Sequence, residues 1–344
     1  MVAELTEAVI RTIQDAARKL TGGKRRKFEA QVAINYCQGS PRKAETIFGW
    51  GRVTGKAVRE ALLQNEQTYA REEIPSPRTL RRVMNRLGYR LRRVQKAKPA
   101  KKIPETDAIF EHVRLAHAES EQQDDCLRIS MDAKAKVKVG EFSRGGKSRG
   151  RQAKKAGDHD MNPQATLIPF GILETARSQL FTVFGTSRET SDFIVDCLQL
   201  WWDERKTAYP QIRKLQIDLD NGPELASNRT QFIKRMVQFA DRNGLTIELV
   251  YYPPYHSKYN SVERCWGILE QHWNGAILDS VDTVLSWARS MTWKGVSPIV
   301  RLLDKAYEKG VRLSKKSFRS FSRRVQRCDS LPKWSLEIRP VAAE

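Results

Sequence analysis

The spacing of hydrophobic residues changes near residue 106 and divides the chain into two regions. Before this point, apolar residues recur every three to four positions, which is the spacing of amphipathic helices. After it, short alternating or continuous apolar runs are separated by helical patterns. The change predicts an all-α region followed by an α/β domain, in which helices cover both faces of a mixed sheet.

The second region begins with strands and continues with alternating helices and strands. The predicted strands cover residues 126–132, 135–142, 165–173, 179–184, 215–220 and 245–251. Helical patterns lie around residues 194–201 and 233–240 and from Ser257 onward. This order of elements is the ribonuclease-H-like layout, in which the strand at 126–132 lies beside the strand at 215–220 in the centre of the sheet.

Three carboxylates lie at the ends of these elements. Asp132 ends the first strand, and Asp220 ends the strand at 215–220, just before Asn221-Gly222. Glu263 lies at the edge of a buried helical stripe that contains Trp266. In the predicted layout the two Asp residues are neighbours at the strand ends, where ligands of open α/β sheets gather. Asp218 has the same strand parity as Asp220 and remains the alternative, but the turn at Asn221-Gly222 favours Asp220 as the terminal residue.

Carboxylate oxygens are suitable ligands for Mg²⁺. Two such ions about 3.5–4 Å apart can hold both the attacking and the leaving oxygen of an in-line displacement at phosphorus. Two strand-terminal Asp and one helical Glu therefore predict a two-metal phosphodiester enzyme. Each carboxylate taken alone is more often an ordinary residue of a strand end or helix start than a catalytic one.

The charge of the chain indicates a polyanionic partner. The net charge is +21, and residues 1–102 hold 24 Lys and Arg against 9 Asp and Glu, which accounts for 15 of that excess. Cations that bind phosphates release condensed counterions, so this composition favours DNA. No apolar run approaches the roughly 20 residues needed to span a bilayer, and the N-terminus has no signal-peptide pattern. The five scattered cysteines indicate reduced intracellular thiols.

The all-α region contains two candidate DNA-binding units. Residues 26–64 predict a helix-turn-helix whose last helix presents Lys56 and Arg59 outward. In the second unit, a helix with an apolar face begins at Ser76-Pro77 and ends at Gly88. The outward face of that helix carries Arg78, Arg81, Arg82 and Arg86. An Arg-rich surface helix without a DNA role is the alternative. Residues 92–105 form a basic linker that begins with Arg92 and Arg93.

Two further basic segments follow. Residues 143–164 form a Gly-, Lys- and Arg-rich loop with Lys147 and Arg149, which predicts either a DNA-contacting insertion or a surface excursion. No phosphate-binding Gly-rich loop motif occurs in it, so nucleotide hydrolysis has no support. The tail after Lys305 predicts a basic helical arm that binds DNA or packs on a partner subunit. Its basic residues are Lys315, Lys316, Arg319, Arg323, Arg324 and Arg327.

These motifs together resemble a known group of proteins. The segment from Tyr252-Pro253-Pro254 through Ser257-Lys258-Tyr259-Asn260 to Glu263 is similar to the Pro-Pro…Ser-Lys-x-Asn-x-x-Glu segment of DDE transposases of insertion sequences, in particular the Rhodopirellula-type family. Met131 to Gly140 resembles the first-Asp strand of that family. Departures occur at Asp220-Asn221-Gly222, where the family is richer in Gly, and at Arg264-Cys265, where a His-Arg pair is usual.

The resemblance implies a ribonuclease-H-like domain that cuts and joins DNA ends. It implies Asp132, Asp220 and Glu263 as ligands of two Mg²⁺ ions, for which Mn²⁺ can substitute. Around the Glu, His256, Lys258 and Asn260 are natural contacts of DNA or of metal-bound water, although Asn260 can instead cap the helix and His256 can bond within its loop. We expect double-stranded DNA, both terminal inverted repeats and target, as the partner of a homo-oligomer in the bacterial cytoplasm, associated with the nucleoid.

The resulting domain prediction has four parts. We expect a helix-turn-helix region at residues 1–70, a second basic helical unit with a linker at 71–105, the DDE catalytic domain at 106–295 and a basic arm at 296–344. Two alternatives remain. One is a transposase-derived DNA-binding protein without catalysis, and the other is a ribonuclease-H-type nuclease that cuts without joining.

Overall fold

The computed structural model describes residues 5–20, 22–37, 41–50, 58–59, 62–63, 74–89, 102–148, 152, 155–157 and 162–341. The chain forms two compact units, residues 1–97 and residues 98–344. Among the described residues, no helix combines the length and the apolar character that a membrane crossing needs.

The first unit is helical. Its helices are α1 (Glu7–Arg18), α2 (Gly22–Cys37), α3 (Pro41–Phe48) and α4 (Pro77–Arg86). A small core joins the first three, with Val32, Cys37, Ala44 and Phe48 buried. Helices α2 and α3 agree with the first two helices of the predicted helix-turn-helix. Most of its third helix, including Lys56, lies outside the described residues, so the motif stays a prediction.

Helix α4 forms where the sequence predicts it. The Ser76 side chain accepts a hydrogen bond from the Thr79 backbone N–H at 3.2 Å, and Pro77 occupies the first helical turn. Leu80 is buried. Gly88 follows the helix with φ of +85°, a left-handed conformation that glycine adopts without a steric penalty.

In the second unit, the described residues form one sheet of nine strands in the order β7-β4-β3-β1-β5-β6-β9-β8, with β2 paired to β3. The strands are β1 (Cys126–Ala133), β2 (Val137–Val139), β3 (Ala165–Glu174), β4 (Gln179–Gly185), β5 (Lys214–Leu219), β6 (Thr246–Tyr251), β7 (Ile299–Leu303), β8 (Val325–Arg327) and β9 (Ser335–Ile338). Strands β1, β5 and β6 are parallel, and β3 is antiparallel to both β1 and β4. The central order β4-β3-β1-β5-β6 confirms the ribonuclease-H-like layout.

Helices cover the sheet. They are α5 (Thr106–Gln122), α6 (Ser191–Arg205), α7 (Thr230–Asn243), α8 (Glu263–His272), α9 (Val281–Ser290) and α10 (Lys315–Ser322). One hydrophobic cluster joins α5, α6 and α7 to the strands, and a second joins α8 and α9 to β2, β3 and β4. The two clusters use alternate residues of β4, because successive side chains of a strand point to opposite faces. Phe181 and Val183 belong to the first cluster, and Leu180 and Phe184 to the second.

Three details differ from the sequence-based expectation. The predicted strand at 135–142 is only Val137–Val139. Strand β5 ends at Leu219, so Asp220 lies in the loop that follows it. The residues after 295 contain the basic helix α10, but β7, β8 and β9 from the same segment belong to the central sheet. Residues 296–344, predicted as a basic arm, thus contribute three strands to the sheet, and two of them pair with β4 and β6.

Candidate active site

Asp132 lies on the central strand β1 and is largely buried. In the antiparallel register it pairs with Gly171 on β3. In the parallel register of β1 with β5, Ser130 pairs with Asp218. Continuing both strands by two residues brings Asp220 next to Asp132, because parallel strands advance in step. The two Asp residues therefore lie at the same edge of the sheet.

Asp220 is held by the turn that follows its strand. The Gly222 backbone N–H donates to Asp220 Oδ1 at 3.1 Å. The loop continues to α7, and the Ser227 N–H donates to the Asn221 side chain at 3.2 Å. A short side chain that accepts a hydrogen bond from the backbone two residues later is a common way to stabilise a tight turn. The turn fixes the Asp220 carboxylate at the end of β5.

Glu263 is the first residue of α8, and a buried network fixes the start of that helix to β1. Asn260 is fully buried, and its amide donates to the Met131 carbonyl at 3.0 Å. Ser130 Oγ donates to Asn260 Oδ1 at 2.5 Å and accepts from the Val262 N–H at 2.9 Å. Ser130 and Met131 directly precede Asp132. The strand that carries Asp132 and the helix that carries Glu263 are thus joined within three residues of each carboxylate.

A glycine lets the same helix lie directly on the sheet. A Cβ atom at Gly171 would come within 2.7 Å of the Trp266 ring and 2.9 Å of a Val262 methyl group. Gly171 is the register partner of Asp132, so this close contact between helix and sheet lies beside that carboxylate. Any larger residue would push α8 away from the strand.

The three carboxylates influence one another. Burial, reinforced by the negative charges of Asp220 and Glu263, raises the pKa of Asp132 to about 8. The pKa of Asp220 is also raised, by burial and by the charge of Glu263, against the opposing hydrogen bond from Gly222. Such mutual effects require the three groups to lie near one another. A positive ion at this place would offset the repulsion and favour all three ionised forms.

These residues suit a divalent metal in their chemistry. All three donors are carboxylate oxygens, the ligand type preferred by Mg²⁺ and Mn²⁺. The Trp266 indole N–H lies close enough to lower the pKa of Asp132, yet it is buried without a hydrogen bond of good geometry to a described group. A small movement would let it donate to a carboxylate oxygen of Asp132 or to another oxygen atom at the site. Within the described part of the chain, no three His, Cys, Asp or Glu side chains already surround a common point, so sharing one ion requires the side chains to draw together.

Asp218 has a different environment from Asp220. It is fully buried, with its carboxylate 3.0 Å from His117 Nε2 on α5 and 3.4 Å from the Arg128 guanidinium on β1. These partners compensate its charge inside the protein. Among the two candidates that the sequence left open, only Asp220 interacts with Asp132 and Glu263.

Two residues expected at the DNA are buried instead. The side chain of Asn260 is occupied by Ser130 and Met131. His256 donates from Nδ1 to the Pro254 carbonyl at 2.7 Å and packs edge-on against Phe110. Neither side chain is available to DNA in this structure, so these two assignments are corrected. Lys258, between them, is exposed, with its Nζ 5.4 Å from the centre of the Tyr259 ring.

The remaining basic candidates are on exposed segments where the structure describes them. Arg78, Arg81, Arg82 and Arg86 are all exposed on α4, Lys147 is exposed, and Arg59 is half-buried. Lys56, Arg92, Arg93 and Arg149 lie outside the described residues. The loop that contains Lys147 is attached to the end of α8, because the Gly275 N–H donates to the Gly145 carbonyl at 3.1 Å.

The contacts that hold the carboxylates in place could not be predicted from the sequence. Ser130 was visible as a polar residue on an otherwise apolar strand, and Gly171 as a glycine inside a strand pattern, which often marks a close approach. Their partners, Asn260 and Trp266, are far away in sequence. No local pattern indicates those pairs.

Residues 31–340 match the family described as the Rhodopirellula transposase DDE domain. The chain belongs to this transposase family. A comparison with curated protein sequences found no match.

Several solved structures resemble this member of the transposase family. A Mos1 transposase paired-end complex with the left transposon end has 11% identity and a TM-score of 0.42, covering 83% of this chain and 89% of that one. The Mos1 strand transfer complex has 9% identity and a TM-score of 0.38 over the same shares. The intasome of simian T-cell lymphotropic virus in complex with PP2A regulatory subunit B56 gamma has 13% identity and a TM-score of 0.28, covering 68% and 59%.

Proposed function

We propose that this protein is a transposase that binds the terminal inverted repeats of a mobile element, cleaves DNA strands at those ends and joins the ends to target DNA. The observation that carries the proposal is the convergence of Asp132, Asp220 and Glu263 at one edge of the sheet, where burial and the charges of the other two carboxylates raise the pKa of Asp132. Membership of the DDE transposase family supports the same reaction class.

The three carboxylates would hold two Mg²⁺ ions, or Mn²⁺ in their place. When bound, such ions activate an attacking oxygen and stabilise the charge that develops on the phosphate. The chain's own contribution is geometry. Ser130 and Asn260 keep Glu263 aligned with Asp132, and the turn at Gly222 keeps Asp220 beside them. The Trp266 N–H can donate a hydrogen bond to an oxygen atom at the site.

The basic residues would hold the DNA in place. The exposed arginines of α4, together with Lys56, Arg59, Arg92 and Arg93, would contact the phosphate backbone or the grooves of the terminal repeats. Lys258 is close in sequence to Glu263, and it would contact the strand near the cut, while Lys147 and Arg149 would contact DNA from their loop. A homo-oligomer that pairs two DNA ends is the form in which we expect these contacts to operate.

The first test is a reaction with end DNA. The full chain is incubated with Mg²⁺, a duplex containing the DNA that flanks its gene, and a target plasmid, and the cut and joined products are mapped. We expect 3′-hydroxyl ends and plasmid joining. In Glu263→Gln, cleavage should fall at least about a hundredfold, because an amide is a poor ligand for a hard ion. Asp282→Asn is the matched control, since it removes one exposed carboxylate from α9.

Each other outcome identifies an alternative. Cleavage by Glu263→Gln at the wild-type rate would refute the assigned carboxylates. Binding of end DNA without cleavage by the wild type would indicate a DNA-binding protein that has lost catalysis. Cleavage without joining would indicate a ribonuclease-H-type nuclease.

A further inference from the structure

Helix α10 carries a row of cations on its outer face. From Lys309 to Cys328 the chain contains eight Lys and Arg residues and no Asp or Glu. Phe318 and Phe321 pack against the core of the α/β unit. At about 100° per residue, four cations fall within an arc of about 100° on the opposite side of the helix. We name these four the α10 basic ridge: Lys315, Lys316, Arg319 and Arg323.

The ridge differs from the basic residues that follow it. Arg324 pairs with Asp241 at 2.8 Å, and Arg327 donates to the Ser227 and Pro332 carbonyls at 2.7 Å. All four ridge residues are exposed, and in the described part of the chain none of them forms an ion pair. Like charges spaced four residues apart on a helix, as Lys315 and Arg319 are, destabilise it slightly. An anion bound from outside would offset the repulsion between these two cations.

The ends of α10 are fixed, and they give the ridge its position. At the start, the Leu313 N–H donates to Thr230 Oγ1 at 3.0 Å. Thr230 begins α7, which follows the loop that carries Asp220, so the ridge begins at the edge of the sheet where the three carboxylates lie. At the other end, Arg324 pairs with Asp241 near the end of α7. The ridge therefore runs along α7, away from the carboxylates.

The dimensions of the ridge match a nucleic-acid backbone. Eight helical residues extend about 12 Å, and a DNA duplex carries one negative charge per roughly 1.7 Å of its axis. A duplex lying along the ridge carries about seven phosphate charges over that length, counted on both strands. Four cations without ion-pair partners in the described residues can contact several of these phosphates.

We propose that the α10 basic ridge binds the phosphate backbone of duplex DNA, as a contact of the catalytic unit itself, in addition to those of the first unit. The inference rests on the proposed action on DNA and adds a surface for the duplex that extends beyond the carboxylates. Because the contact is to phosphates, it is independent of base sequence. It holds either the element's own DNA or the target.

The test measures DNA affinity as a function of salt. The probe is a fluorescein-labelled 30-base-pair duplex of arbitrary sequence, bound by the full chain without divalent ions between 50 and 300 mM NaCl. The ridge variant carries Lys315→Gln, Lys316→Gln, Arg319→Gln and Arg323→Gln. The matched control carries Lys206→Gln, Arg213→Gln, Arg289→Gln and Lys294→Gln, four exposed cations elsewhere on the same unit. Both variants lose the same net charge.

We expect the slope of log affinity against log salt to become less steep by about 3 to 4 in the ridge variant, since each phosphate contact contributes about 0.9. In the control we expect a change below about 1. Equal changes in both variants, or no change in the ridge variant, would overturn the proposal. If the fourfold variant unfolds, the pair Lys316→Gln and Arg319→Gln should give about half of the effect, and an unchanged slope there would equally overturn it.

Two other measurements separate this inference from its rivals. Loss of oligomer mass in the ridge variant with an unchanged DNA slope would assign the ridge to a subunit contact. Binding of anionic vesicles as tightly as the duplex would assign it to a lipid surface. Cleavage plays no part in these experiments. A wild-type chain that never cleaves DNA would refute the proposed function without affecting the binding result.

Discussion

At the scale of single residues, two aspartates separated by one position have different roles because of their neighbours. Asp218 and Asp220 have the same strand parity, so sequence alone can only prefer one by its nearness to a turn. The structure distinguishes them by long-range partners. Asp218 is enclosed by His117 and Arg128, whereas Asp220 lies beyond the end of β5 and interacts with Glu263.

We expect opposite results from Asp220→Asn and Asp218→Asn. Asp220→Asn should abolish cleavage and keep the fold, because it removes a repelled charge at the edge of the sheet. Asp218→Asn should cost about 2 kcal/mol of unfolding free energy, since it leaves the partly buried Arg128 with only the exposed Glu121 as its ion-pair partner. Its cleavage rate per folded molecule should stay near the wild-type value. Denaturant unfolding and end cleavage, measured on the same preparations, check both. Equal loss of cleavage would contradict the assignment of Asp220.

Asp132 should make the metal-free protein less stable as pH rises. Its pKa is about 8 when folded and about 4 when unfolded, so between these values the folded state retains a proton that the unfolded state has released. Stability therefore falls as pH rises from about 4 to about 8 and levels off above that. The raised pKa of Asp220 acts in the same direction.

The measurement is denaturant unfolding in the presence of a chelator at pH 5, 7 and 9. Asp132→Asn should lose less stability over this range than the wild type does, while Asp282→Asn should follow the wild type. An identical pH dependence in the wild type and in Asp132→Asn would mean that the carboxylate is not repelled in the folded state.

At the scale of elements, the position of α8 on the sheet depends on Gly171. A methyl group at that position would meet the Trp266 ring at 2.7 Å, so the helix must shift. We expect Gly171→Ala to lower stability by about 1–3 kcal/mol. Cleavage should fall further than the loss of folded protein explains, because Glu263 moves with α8.

Gly267 provides a matched control on the same helix. It is exposed within α8, and a Cβ atom there would have no neighbour within 4 Å. Gly267→Ala should raise stability by about 0.5–1 kcal/mol, because alanine favours the helix. End cleavage by this variant should be unchanged. If both alanine variants cleave at the wild-type rate, the approach at Gly171 does not set the geometry of the site.

The sequence predicts most elements of the α/β unit because their periodicity is strong. The apolar runs at 165–173 and 245–251 correspond to β3 and β6 within one residue at each end. The short strands are harder to predict. The pattern at 135–142 predicts a longer strand than the three residues of β2. The observed strand is shorter because a β-strand requires a partner, and only Val137–Val139 pair with β3.

At the scale of the whole molecule, the sequence predicts the distribution of charge but not the outer strands of the sheet. The basic excess of residues 1–102 is a property of composition, and α4 displays its arginines as the helical period predicts. The segment after residue 295 is predicted as a basic arm because of its cations. Its strands have only three to five residues each, and distant pairing with β4 and β6 defines them.

The same pairing has a consequence for how the protein is made. A ribosome synthesises β7, β8 and β9 after every other strand of the sheet, and these strands cover the edges of β4 and β6. Until they emerge, the nascent chain leaves the backbone groups of those two edges open to pairing with other chains. A polypeptide released before these strands are made would already contain Asp132, Asp220 and Glu263, but the edges of β4 and β6 would lack their partner strands. Synthesis of these strands therefore determines when the two edges of a newly made chain are covered.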